Sequence, residues 1–272
     1  MTLNFPFVKP SQGFDLVRFT PELALEFLRK HNFENRSIRP YVVKKYAKSM
    51  SDGDWVLSPE PLALSTEGRL LNGQHRLSAV IASGVTCDFY VAHGFDNHVF
   101  SVLDRGATRT SYDALGADRK LTHAASILAK INVSYGPITD GDIRNAMQII
   151  QPTYEILTKY SNSNAALFGS ASFRLAAVAR VMGGASESQT FQLYADLVNG
   201  KIEDMPPVGH SAVRMFMKGS LATRSSGGAR QDFYLRIAWS VFDPMKRNVK
   251  IVRPQSRANV FSEILKATRY EA

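Results

Sequence analysis

One stretch constrains this chain more than any other: Gly68-Arg69-Leu70-Leu71-Asn72-Gly73-Gln74-His75-Arg76-Leu77-Ser78-Ala79-Val80. Arg69 to Leu71 reads as a short apolar strand and Asn72-Gly73 as a turn. A helix running to about Ser83 should follow, because Leu77, Val80 and Ile81 fall three and four apart. Gly84 stands where a left-handed helix stop belongs. Gln74, His75 and Arg76 then occupy the first helical turn, where backbone N–H groups and the helix dipole attract an anion. A strand, a glycine turn and a helix start bearing His and Arg make a phosphate cradle. The plainer alternative is that His75 and Arg76 solvate a helix end.

With 272 residues the chain is one large domain or two ordinary ones, and a composition shift near residue 115 marks the best boundary. Its hydrophobic content of 44% and charged content of 21% are those of a globular protein. Cys87 is the single cysteine, so an intramolecular disulfide and a multi-cysteine metal site are excluded, and a reducing, cytoplasmic setting is expected. No apolar run approaches the ~20 residues needed to span a bilayer. Residues 1–10 lack the charged and apolar regions of an export signal.

The net charge of +9 points to polyanionic partners or anionic ligands. From Lys201 onward there are 13 Lys and Arg against 6 Asp and Glu, so +7 of the total lies there. Lys246-Arg247-Asn248-Val249-Lys250-Ile251-Val252-Arg253 is its densest run, expected to be extended and mobile. Lys246, Arg247, Lys250 and Arg253 are the candidate nucleic-acid contacts. A merely solvated basic surface is the competing reading.

Other elements follow from local signals. Thr20-Pro21-Glu22 opens a helix to about His31, with Thr as cap and Pro in the first turn. Pro40 opens a second, Tyr41 to Met50, with Val42, Val43, Tyr46, Ala47 and Met50 on the buried stripe. Leu62 to Leu64 and Arg69 to Leu71 should form a hairpin about Thr66-Glu67-Gly68. Val85 to Ala92 reads as a strand, in which Cys87 is a packed thiol, and Phe95 to Leu103 as a short helix. Residues 1–19 look extended without periodicity. Beyond residue 120 the pattern is helical: 121–133, 141–160, 164–182, 188–198, 210–223 and 231–242. Ala171 to Met182 could be a recognition helix, but its Ala-rich face fits a packed core helix better. His93 and His98 are five apart with no regularly spaced third ligand, so no metal site is expected.

Several segments taken in order resemble the ParB/sulfiredoxin superfamily, particularly ParB-like proteins of phages and actinobacteria. Asn35-Arg36-Ser37-Ile38-Arg39-Pro40, followed by Val43, Tyr46, Ala47, Met50, Gly53 and Trp55, is similar to the family's first box. Pro61 and Leu62 come next, then Leu71-Asn72-Gly73-Gln74-His75-Arg76-Leu77-Ser78-Ala79, similar to the "DGQHRL-A" signature. Asp104-Arg105-Gly106, with Arg109 and Asp113, stands where such domains carry a phosphate-contacting box.

The resemblance implies an α/β fold: a ParB/sulfiredoxin-like nucleotide-binding domain over 15–115 and a mainly α-helical, basic C-terminal domain over 116–272. It implies a cradle of Asn72, Gly73, Gln74, His75 and Arg76, closed by Arg105 or Arg109. The ligand would be a nucleoside triphosphate, ATP or CTP, with magnesium as its companion. DNA is the expected macromolecular partner, and a homodimer is open.

Departures from the family narrow the chemistry. The acidic member of the partition proteins' Gly-Glu-Arg-Arg motif is absent, which puts their CTP switch in doubt. Gln74 replaces the sulfiredoxin cysteine, which removes sulfinic-acid reduction. A kinase of the same fold, acting on a small molecule or modified base, is the alternative; it would draw on Asp104, His75 and Glu67 as catalytic groups. A nuclease ranks last, because paired carboxylates beside a lysine are missing.

Overall fold

The computed structural model describes residues 11–35, 37–101, 115, 117–134, 136–163, 167–217 and 227–270. The chain divides into two compact units, Met1–Arg109 and Thr110–Ala272. The protein is α/β in class, with a four-stranded mixed sheet confined to the first unit and a second unit whose described elements are helices.

Unit 1 contains β1 (Gly13–Phe19), α1 (Pro21–His31), α2 (Pro40–Ser51), β2 (Leu62–Ser65), β3 (Leu70–Asn72), α3 (Gln74–Ser83) and β4 (Cys87–Phe95), then a 3-10 turn over Asn97–Ser101. The sheet order is β1-β4-β2-β3. β1 lies antiparallel to β4, with Gly13 opposite His93 and Phe19 opposite Cys87. β2 runs parallel to β4 and forms an antiparallel hairpin with β3. A parallel neighbour needs a crossover, and α3 lies within the link that returns the chain from β2 to β4.

Local chemistry explains the helix limits. Thr20 Oγ1 accepts from the Leu23 N–H at 3.2 Å, and Pro21 follows at the first helical position. Gly84 ends α3 at φ +71, a left-handed stop that a residue with a Cβ adopts at a cost. Phe19, Phe27, Met50, Leu62, Leu70, Leu77 and Phe89 build the core. Phe19 meets Phe27 edge-on, with ring centroids 5.2 Å apart, and Trp55 meets Phe89 at 6.0 Å. Cys87 is a buried thiol in that core, and burial pushes its pKa up, away from reactivity. On α2 only Met50 is fully buried; Val42, Val43, Tyr46 and Ala47 are half-buried.

Residues 13–19, expected to be extended, form a strand. β3 and β4 sit one to three residues later than expected, over Leu70–Asn72 and Cys87–Phe95.

His31 closes α1 and is buried, donating from Nδ1 to the Gly68 carbonyl at 2.7 Å and lying against Phe27. Burial pushes its pKa below the ordinary value; the Gly68 carbonyl opposes the shift and Lys30 adds to it. The unfolded chain therefore takes up a proton near pH 6.5 that folded unit 1 refuses. Stability from neutral His31 is full above that pH and declines as pH falls below it. We expect the melting temperature of unit 1 to drop as the pH falls below about 6.5, and His31→Asn to flatten the drop. An unaltered profile in that variant would place the titration elsewhere.

Unit 2 contains α4 (Arg119–Asn132), α5 (Asp140–Tyr160), α6 (Ala171–Met182), α7 (Glu187–Asn199), α8 (Pro207–Met217), α9 (Gly228–Val241), a 3-10 turn over Pro244–Lys246, and α10 (Arg257–Thr268). α6 is the helix the others surround: every residue from Ser172 to Ala179 is buried. Its alanines let α4, α5, α7, α9 and α10 approach, and their larger side chains, among them Leu128, Tyr154, Tyr194 and Trp239, fill the core. Eight consecutive buried residues leave this helix no open face along Ser172–Ala179, so the packed-core reading of Ala171–Met182 is the structural one. Thr139 and Asp142 form a reciprocal capping box at the start of α5. α10 was not expected from the sequence. No helix among the described residues is long and apolar enough to cross a membrane.

Candidate functional site

The β3–α3 junction is built around Gly73. Its φ is +112, and a Cβ placed there would lie 2.3 Å from the Leu62 Cδ2 atom, in a side chain that is itself fully buried. Glycine is therefore required twice, for the backbone angle and for the close approach. Gly73→Ala should cost unit 1 about 2–4 kcal/mol through strain and overpacking. A urea midpoint unchanged by that substitution would mean the turn relaxes freely.

From this turn the chain enters α3 with no side-chain cap at its N-terminus. Gln74, His75 and Arg76 are all buried, at 6–8% exposure, so they do not solvate a helix end. His75 Nε2 accepts the backbone N–H of Arg39 at 3.0 Å, which ties α3 to the residue preceding α2. That bond requires a lone pair on Nε2, hence an unprotonated nitrogen.

Arg76 donates from Nη1 to the Glu60 carbonyl at 2.5 Å and from Nη2 to the Pro61 carbonyl at 2.8 Å. The Glu60 carboxylate lies 3.9 Å from Nη2. The expected phosphate fork is thus turned onto the backbone leading into β2. Asn72 Nδ2 donates to Glu60 Oε1 at 2.9 Å, so Glu60 joins both sides of the turn.

Glu60 and Arg39 are the participants the sequence reading missed. Glu60 precedes Pro61, and a residue before proline is held extended. That restriction was the available signal, but it does not name the guanidinium its carbonyl serves.

No family model matches this chain, and no curated protein or solved structure matches it. The site therefore rests on its own geometry.

Glu67 sits at the tip of the β2–β3 hairpin, while Asn72 closes the far end of β3 and Gly73 to Arg76 follow it. Its carboxylate accepts from Asn97 Nδ2 at 2.6 Å. The described structure does not bring Glu67 and His75 into one catalytic group. Asp104, Arg105, Arg109 and Asp113 lie outside the described residues. His93 is buried, with Nε2 3.3 Å from an Asp15 oxygen and Nδ1 3.0 Å from the Ser11 carbonyl oxygen; His98 pairs with Asp96 on the surface. Among the described residues no three acidic, His or Cys side chains are placed to hold a metal ion.

Lys246, Arg247, Lys250 and Arg253 belong to unit 2. The expectation of an extended segment is corrected: Lys246 ends a 3-10 turn, and the residues after it are hydrogen-bonded to α8 and α9. The Arg247 carbonyl accepts from Val208 N at 3.1 Å, Val252 N donates to Ser211 Oγ at 2.9 Å, and the Arg253 carbonyl accepts from Ser240 Oγ at 2.9 Å. Each of these bonds satisfies a backbone group that a free tail would leave to water. Lys246 pairs with Asp243 at 3.4 Å, and Arg247 Nη1 donates to Gln189 Oε1 at 3.3 Å. Lys250 and Arg253 are exposed.

Proposed function

We propose that this chain is a nucleotide-binding, DNA-associated protein of the ParB-like kind. In this reading the Gly73 turn and the start of α3 receive the phosphates of a nucleoside triphosphate, ATP or CTP, with magnesium accompanying it. The observation that supports it is the Gly73 turn. A left-handed glycine, closed against Leu62, delivers a strand into the positive end of a ten-residue helix, where oriented N–H groups favour phosphate. Arg76 then shapes the turn from behind through the Glu60 and Pro61 carbonyls.

Thermal melting against ATP, CTP, GTP and UTP, with and without magnesium, tests the reading. A nucleotide at a hundredfold its dissociation constant should stabilise by about 2.7 kcal/mol. Absence of any shift with all four nucleotides removes the proposal.

The basic segment of unit 2 supplies the DNA contact in this reading. Lys250 and Arg253 are exposed, whereas Lys246 and Arg247 already serve Asp243 and Gln189. Lys250→Gln with Arg253→Gln should lower the slope of log affinity against log salt by about 1.8, at ~0.9 per phosphate contact. Lys246→Gln should change it less. An unaltered slope in the double variant takes the segment out of the interface.

A further inference from the structure

Unit 2 holds a cavity of about 380 Å³ between α4 and α5, bounded by the apolar side chains of Ala117, Leu121 and Met147 and the polar ones of Asp118, Gln151, Tyr154, Glu155, Thr158 and Asn162. That size falls within the range of small-molecule sites. Tyr154 is 3% exposed, and its hydroxyl has no hydrogen-bond partner among the described residues. A buried polar group without a partner is costly, so a ligand that reaches the Tyr154 hydroxyl gains by pairing with it.

The other polar groups are mostly acceptors. Asp118 Oδ1 caps α4 by accepting the Leu121 N–H at 2.8 Å, which leaves Oδ2 for another donor. Gln151 Nε2 donates to Glu155 Oε1 at 2.8 Å, which leaves Gln151 Oε1 and Glu155 Oε2 as acceptors. Lys120 donates to both the carbonyl and the amide oxygen of Asn162. The nearby buried cation, Arg174, does not line the cavity; it is bonded to the Tyr194 hydroxyl and the Ser163 carbonyl.

We propose that this cavity is a binding site for a small cation with a donor-rich nitrogen head, an amidine, guanidine or amine, on a compact apolar body. The head meets the oxygens of Asp118, Gln151 and Glu155, and the body rests on Leu121 and Met147. Tyr154 is a hydroxyl acceptor for the same head. Burial holds that phenol protonated well above neutral pH, so it adds no charge of its own. The inference is independent of the nucleotide reading, since every lining residue belongs to unit 2.

Benzamidine, benzamide and benzoate share one ring and differ in charge, and titration calorimetry on the full chain separates them. Benzamidine should bind about tenfold or more tighter than either of the others. Glu155→Gln, an isosteric change at an exposed position, should weaken benzamidine about fivefold. Tyr154→Phe, which removes only the hydroxyl, should weaken it about threefold without lowering the melting temperature. The proposal is overturned by no heat from benzamidine up to about 10 mM, a millimolar-scale ligand being worth only ~4 kcal/mol. It is equally overturned by benzoate binding as well as benzamidine, or by full affinity in both variants.

Discussion

Arg76→Ala should be among the most damaging substitutions in unit 1, lowering its melting temperature by more than about 10 °C. Hydrogen bonds from a charged donor contribute about 1.5–3 kcal/mol each, and among the described residues Arg76 donates to the Glu60 and Pro61 carbonyls. The guanidinium is buried, so its removal leaves both carbonyls short of a donor at a place water reaches poorly. The combined loss is on the order of 3–5 kcal/mol, and a domain of this size shifts roughly 4–8 °C per kcal/mol. Arg76→Lys retains the charge but not the planar fork, and should recover about half. The measurement is a thermal melt followed through Trp55, the tryptophan of unit 1. If Arg76→Ala melts like the parent yet loses its response to nucleotide, the residue belongs to the phosphate and not to the scaffold.

Trp239→Ala should be the counterpart in unit 2, costing about 3–5 kcal/mol. The indole is 2% exposed and packs beside α6. Its Nε1 donates to Glu263 Oε2 at 2.6 Å, and the Arg180 guanidinium lies 3.7 Å from the ring centroid. Arg180 also donates to the Trp239 carbonyl at 2.8 Å, with Asp243 3.4 Å away. One truncation therefore opens a large cavity, strips a cation of its aromatic face and leaves Glu263 without its donor. Trp239→Phe retains most of the volume and should cost about 1–2 kcal/mol. Urea unfolding measured by circular dichroism checks both. A loss under about 1 kcal/mol for the alanine variant would mean the unit repacks around the gap.

Features encoded within a few residues were legible in the sequence. Thr20-Pro21 starts α1 and Gly84 ends α3 because a cap and a left-handed stop are local devices. β1 was not legible as a strand, for a physical reason. It turns Phe14 and Leu16 outward, 65% and 58% exposed, while Gly13, Asp15 and Val17 face inward. Such a strand has no apolar-in, polar-out alternation to detect. α10 could have been found from Ser256, which accepts the Asn259 N–H, and from Val260, Ile264 and Thr268 at four-residue spacing. The turn at Gly73 was readable, but the task of Arg76 was not. Its acceptors are 15 and 16 positions earlier, and no local rule ties a guanidinium to two distant carbonyls.

The pairing of β1 with β4 has a consequence during synthesis. Gly13 must find His93 and Phe19 must find Cys87, so the first strand made waits for the last before the sheet can close. Closing so distant a contact carries a loop-entropy cost that local helices avoid. Until residues near 95 have left the ribosome, Phe19 has no Phe89 to meet. A nascent chain halted before β4 should therefore be open to protease throughout unit 1. One halted a few tens of residues later, with β4 clear of the exit tunnel, should resist cleavage in one step.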